Sequence, residues 1–207
     1  MYMLQEILRM ANSRQSEGVK RLQWIHGLMK PQPGFVKAEV ARYLGNPTDY
    51  LIMRMWDSLD AWNAFRQTED GANYPKNRPE GLYEGVAVGR NWELEIDSQG
   101  GQPGGFLVRS IYRPADGRMA DFVENRRRHD KLALQVPNQS GLQTWRCTDT
   151  EEPHAGTALV QPKRKDRDAY NQYLESPQAA EYRKGNERGL YKTQETQCYE
   201  VVDTVVP

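Results

Sequence analysis

Short apolar runs and polar stretches alternate along the chain in the order strand, helix, strand, strand, helix, strand, and the order then recurs. Residues 3–10 are apolar-rich and predict a first strand. Val19, Leu22, Ile25, His26 and Met29 share one face at about 100° per residue, which predicts a helix over 19–30, ended by Pro31, Pro33 and Gly34. Ser13 and Ser16 are its candidate N-caps. Trp24 lies on the opposite side with no evident internal partner and marks a candidate subunit contact. Partial alternation over 35–44, a Gly45-Asn46-Pro47 turn and a dense apolar run over 50–56 predict strands two and three. Asp57 or Ser58 then caps a second helix with Ala61, Trp62 and Phe65 on its face, followed by a break at Gly71 and Pro75. Residues 86–96 predict the fourth strand.

The second half reads the same way. A strand over 106–112 leads to a helix from Gly117 to about Leu134, capped by Asp116, whose inner face holds Met119, Phe122, Arg126 and His129. Strands over 141–148 and 156–161, a helix over 170–186 and a strand over 193–205 complete it. The charged run 163–168 predicts a solvated turn and helix start.

The recurrence is an internal duplication, carried most clearly by Asp60–Tyr83 and Asp168–Tyr191, which align without a gap. Asn63, Tyr74, Lys76 and the triplet Gly81-Leu82-Tyr83 recur as Asn171, Tyr182, Lys184 and Gly189-Leu190-Tyr191. Trp62 and Phe65 become Tyr170 and Tyr173, so each place keeps an aromatic. A β-α-β-β-α-β unit is the split βαβ of ferredoxin-like folds. The expected organisation is one repeat over 1–98, a Gln-Gly-Gly-Gln-Pro-Gly-Gly linker over 99–105 and a second repeat over 106–207. One such unit has both helices on one face of its sheet and leaves the other face bare. A second copy on the same chain would cover that face. The expected fold class is therefore α+β: tandem ferredoxin-like βαββαβ repeats forming an intrachain dimeric α+β barrel.

Composition narrows the function. The 207 residues suit two domains, and five Trp with eleven Tyr argue against disorder. Lys+Arg and Asp+Glu both number 28, so no charge excess points to nucleic acid or an anionic membrane. Cys147 and Cys198 are expected as buried free thiols, and no Cys/His cluster has metal-ligand spacing. No apolar run approaches a membrane span, and the start MYMLQEILRM lacks a secretory signal, so a cytoplasmic protein is expected. There is no GxGxxG after a strand, no P-loop, no nucleophile elbow and no HExxH.

Trp56 closing strand three, the helix start Asp57-Ser58-Leu59-Asp60-Ala61, and the aromatics Trp62 and Phe65 resemble the antibiotic biosynthesis monooxygenase (ABM) family of dimeric α+β barrels. The resemblance covers the whole chain as two fused copies. It implies a pocket between the sheet and helices of one unit, a small-molecule substrate and dioxygen as partners, and a monomeric pseudo-dimer or a homodimer. Within that family it implies a monooxygenase of an aromatic or quinone-forming molecule, with no bound flavin or metal as cofactor. The alternatives are a haem-binding or haem-degrading barrel and a barrel that only binds a small ligand. The haem-degrading branch uses an Asn on strand one, a Trp on helix two and a His further along it. Here the Trp position holds Phe65 and Tyr173, the His position falls near Pro75 and Arg183, and neither first strand carries an Asn.

The candidate catalytic residues are His26 and His129 as bases near neutral pH, and Tyr74 and Tyr182 as donors to a quinone-like oxygen. Each has a packing alternative. The alignment sets His26 against Arg126 and Met29 against His129, so the two histidines are not repeat-equivalent. Trp62 with Phe65, and Tyr170 with Tyr173, lie i,i+3 on the second helix of each repeat. They either line a pocket by stacking or join helix to sheet. Arg109, if it faces inward from its strand, binds an anionic group, and Arg126 joins it as a substrate-binding candidate.

Overall fold

The computed structural model describes residues 1–98, 104–151 and 154–207, so most of the expected linker lies outside the described residues. Its elements are β1 (Tyr2–Met10), α1 (Gln15–Met29), β2 (Phe35–Tyr43), β3 (Asp49–Trp56), α2 (Leu59–Gln67), α3 (Glu69–Asn73) and β4 (Tyr83–Ser98). There follow β5 (Phe106–Pro114), α4 (Met119–Ala133), β6 (Gln139–Cys147), β7 (Ala158–Arg164), α5 (Arg167–Glu175), α6 (Pro177–Lys184) and β8 (Tyr191–Val205). The chain forms two compact units, Met1–Trp92 with Val201–Pro207, and Glu93–Glu200. No described helix is long and apolar enough to cross a membrane.

Each unit has the expected ferredoxin-like order. The first sheet runs β4-β1-β3-β2 and the second β8-β5-β7-β6. In the first, Tyr2 lies opposite Trp56 and Leu8 opposite Tyr50. In the second, Phe106 lies opposite Arg164 and Tyr112 opposite Ala158. The two registers make Trp56 and Arg164 equivalent positions at the ends of β3 and β7. The dense apolar runs of β1 and β3 have a physical cause: both faces of these strands are buried. Tyr50, Ile52 and Trp56 belong to a core shared with α1 and α2, while Leu51, Met53 and Met55, of opposite parity, are also fully buried.

The second helix of each repeat is broken by a hydroxyl residue. Thr68 and Ser176 are extended, and each donates its hydroxyl to the carbonyl three residues back: Thr68 to Phe65 (2.7 Å) and Ser176 to Tyr173 (2.6 Å). Each also caps the next helix, accepting from Gly71 N and Ala179 N at 3.1 Å. The uninterrupted helix expected over 170–186 is therefore α5 and α6, and Pro177 at the first turn of α6 is the signal that marks the break. The first-helix caps also differ from expectation. Arg14 and Arg118, not Ser13, Ser16 or Asp116, hold the N-cap positions, and neither caps with its side chain. Instead Arg14 pairs with Glu17 and Arg118 with Asp121, at 2.6 and 2.7 Å. Ser58 does cap α2, accepting from Ala61 N at 3.1 Å.

The recurring Gly-Leu-Tyr builds one corner twice. Gly81 and Gly189 have φ of 65° and 81°, where a side chain is strained. The following Leu82 and Leu190 are buried, and their carbonyls accept from Ala11 N (3.0 Å) and Ala115 N (2.9 Å). Cys147 is buried, as expected, but Cys198 is only half-buried. Arg164, placed by the sequence in a solvated turn, is the buried end of β7.

Candidate functional site

Each unit has a hollow between its sheet and its helices, and the two hollows are chemically different. In the first unit the rings have closed much of it. Trp56 meets Phe35 edge-on and stacks on Phe65, each with centroids 5.4 Å apart, Trp62 lies 5.7 Å from Trp56, and Tyr74 stacks on Phe65 at 6.0 Å. Trp62 and Phe65 thus serve the core. The remaining cavity, about 170 Å3, is lined by Glu6, Leu22, Ile25, Arg54, Tyr74 and Tyr83 among others. Its buried cation Arg54 is neutralised by Glu6, with which it forms an ion pair.

In the second unit the places of Trp56, Trp62 and Phe65 are taken by Arg164, Tyr170 and Tyr173. All three line a cavity of about 220 Å3, together with Arg126, His129 and Tyr182. Arg126 and His129, three apart on α4, face it together. His129 Nε2 meets Tyr173 Oη at 2.5 Å, and Nδ1 lies 3.4 Å from Asp130 Oδ1. Asp130 Oδ2 accepts from Ser98 Oγ at 2.8 Å. The carboxylate sets the tautomer: Nδ1 carries the proton, and Nε2 accepts from the Tyr173 hydroxyl. Burial pushes the His129 imidazole down, and its hydrogen bond to the Asp130 carboxylate partly restores it. Burial pushes the Tyr173 phenol up to about 12.

Residues 1–74 match the antibiotic biosynthesis monooxygenase family. That stretch is an ABM domain. It runs from β1 to Tyr74, the C-cap of α3. No curated protein matches the chain. Three solved structures share its fold. A candidate monooxygenase of Fusobacterium nucleatum is 10% identical with a TM-score of 0.79, over 99% of this chain and 94% of that one. A candidate monooxygenase of Lactobacillus acidophilus is 11% identical with a TM-score of 0.77, over 99% and 95%. An anthrone oxidase-like protein is 12% identical with a TM-score of 0.69, over 99% and 92%.

The ABM domain and the second unit align on their N-caps, Arg14 and Arg118. Counted from there, His26 corresponds to Asp130, Ile25 to His129 and Leu22 to Arg126. This corrects the alignment of His26 with Arg126, which is four residues out of step. The histidines remain non-equivalent. His26 in the ABM domain is fully buried, lines neither cavity, and has no hydrogen-bond partner among the described residues on either ring nitrogen. Burial, with Arg54 nearby, pushes it down to about 3, so it stays neutral and is part of the packing.

The other candidates divide as follows. Tyr74 borders the ABM-domain cavity, away from any histidine contact. Tyr182 borders the second cavity, but its hydroxyl is given to Asn125 Oδ1 at 2.8 Å, and its ring packs on His129 at 4.5 Å. Tyr170 lines the same cavity and its ring lies 5.7 Å from Phe106. Arg109 faces away from it, on the opposite parity from Val108 and Ser110, and bonds Glu195 at 2.6 Å. Sequence reasoning missed Arg164, Asp130 and the amides Asn125 and Asn186, which hold Tyr182 and Tyr191. The alignment of Trp56 with Arg164, an apolar place turned cationic, was the available signal.

Proposed function

We propose that the chain is a monooxygenase of an aromatic or quinone-forming small molecule and that the second unit holds the working site. The observation that supports this is a hydrogen-bonded run, Tyr173–His129–Asp130, opening onto a hollow walled by rings and guanidiniums. A phenol near 12 stays protonated at rest, so Tyr173 acts as a conduit. It takes the substrate's acidic proton on its oxygen and passes its own to His129 Nε2. The imidazolium so formed is steadied by Asp130, and the substrate anion by the nearby guanidiniums. The electron-rich anion then reduces dioxygen. A ring-activated methylene becomes a carbonyl, with one oxygen atom entering the product and the other leaving as water with the two hydrogens.

Haem does not fit this hollow. Both nitrogens of His129 are engaged, and about 220 Å3 falls below the ~300–1,000 Å3 typical of drug-sized ligand sites. The test is to supply anthrone and labelled dioxygen to the purified chain, without added flavin or metal, and weigh the product. One labelled oxygen in the anthraquinone is expected. Absence of product, or a carbonyl oxygen drawn from water, overturns the proposal.

A further inference from the structure

The second unit buries two guanidiniums, neither of which forms an ion pair with a described residue. Arg126 is 3% exposed. Its Nη2 bonds Asn125 Oδ1 (3.2 Å) and Tyr191 Oη (3.0 Å), and its Nε has no partner among the described residues. Four rings, Tyr112, Phe122, Tyr182 and Tyr191, collar it at 5.0 to 5.3 Å. That collar attracts a cation but does not neutralise it. Arg164 is 1% exposed. Its Nη1 bonds Lys163 O at 3.1 Å, while Nε and Nη2 have no partner among the described residues. It lies 4.9 Å over the Tyr173 ring. The one buried carboxylate at hand, Asp130, is committed to Ser98 and His129.

The first unit shows that the fold does not require this. There the equivalents of Arg126 and Arg164 are Leu22 and Trp56, and the buried Arg54 has Glu6. Unpaired buried charge is costly, and it persists where a ligand completes it. Substrate ionisation supplies one negative charge, beside Tyr173 and hence beside Arg164. A second guanidinium is left at the Asn125–Tyr191 end of the cavity. Arg183, exposed on its rim, adds positive potential that draws anions inward.

Resting on the oxygenase reading, we infer that the substrate is an aromatic acid: it carries a carboxylate, held by Arg126, in addition to the hydroxyl that ionises at Tyr173. A planar carboxylate matches the guanidinium fork and the bare Nε.

The test is calorimetric titration of the full chain at neutral pH with 1-hydroxy-2-naphthoate and with 1-naphthol, which differ only in the carboxylate. The acid is expected to bind about tenfold tighter or more. Arg126→Gln abolishes that preference, and Arg126→Lys, which keeps the charge, retains part of it. Equal affinities, binding of neither compound, or a preference that survives Arg126→Gln overturns the inference. The wild-type comparison decides alone if Arg126→Gln does not fold. Because binding is read without turnover, acid preference in a protein that consumes no oxygen would overturn the oxygenase reading and leave this one standing.

Discussion

Replacing Arg164 by Met is expected to make the second unit more stable while emptying it of function. Arg164 ends β7 where Trp56 ends β3, and it is 1% exposed with two bare nitrogens. Burial lowers its pKa from the ordinary guanidinium range to about 10. That difference corresponds to roughly 3 kcal/mol against the charged form in the fold. The penalty is present in full below the folded value, so it acts throughout the neutral range, and it fades only as the pH rises above about 10. The variant loses one hydrogen bond to Lys163 O, which is about 1 kcal/mol. Methionine refills much of the volume with an adaptable chain. The balance is a gain of about 1–2 kcal/mol, measurable by calorimetric or urea unfolding at neutral pH. The same variant should bind aromatic acids poorly. A loss of stability of more than about 1 kcal/mol would refute the reasoning, because it would mean that the guanidinium holds the fold together.

Three further outcomes are expected. His26 is held down to about 3 in the fold but titrates near 6.5 when unfolded, so the unfolded chain binds the extra proton as the pH falls from 6.5. Stability should drop by about 2 kcal/mol between pH 6.5 and 5, and His26→Leu should flatten that drop in urea midpoints; equal slopes contradict it. Trp56→Ala, removing a fully buried ring that stacks on Phe65 and meets Phe35 edge-on, should cost about 3–5 kcal/mol in urea unfolding. Tyr173→Phe keeps the ring and removes the proton conduit. It should lower kcat about 10²–10⁴-fold with little change in substrate binding, and a change under about threefold would count against the relay.

Much of the fold was legible because its signals are local and doubled. Apolar periodicity placed the strands and first helices, and repetition of Gly-Leu-Tyr marked a corner that needs positive φ. The Thr68 and Ser176 breaks were less visible, since a hydroxyl that caps one helix while closing another looks like an ordinary polar residue. His129, Tyr170, Tyr173 and Tyr182 were all named in advance. Their division of labour was not, because it depends on which hydroxyl reaches the imidazole. Arg164 was hidden in a charged run, and only strand register shows that it turns inward. His26 looked like His129 on a helical wheel. One position along α1 separates a residue facing the cavity from one sealed in the packing.

The most direct measurement is oxygen uptake with anthrone by two histidine variants, each compared with the unaltered chain. His129→Gln should lose activity about a hundredfold or more, while His26→Leu, at a residue that lines neither cavity, should keep it. The reverse pattern, with His129→Gln active and His26→Leu dead though folded, would contradict the assignment of the working site to the second unit.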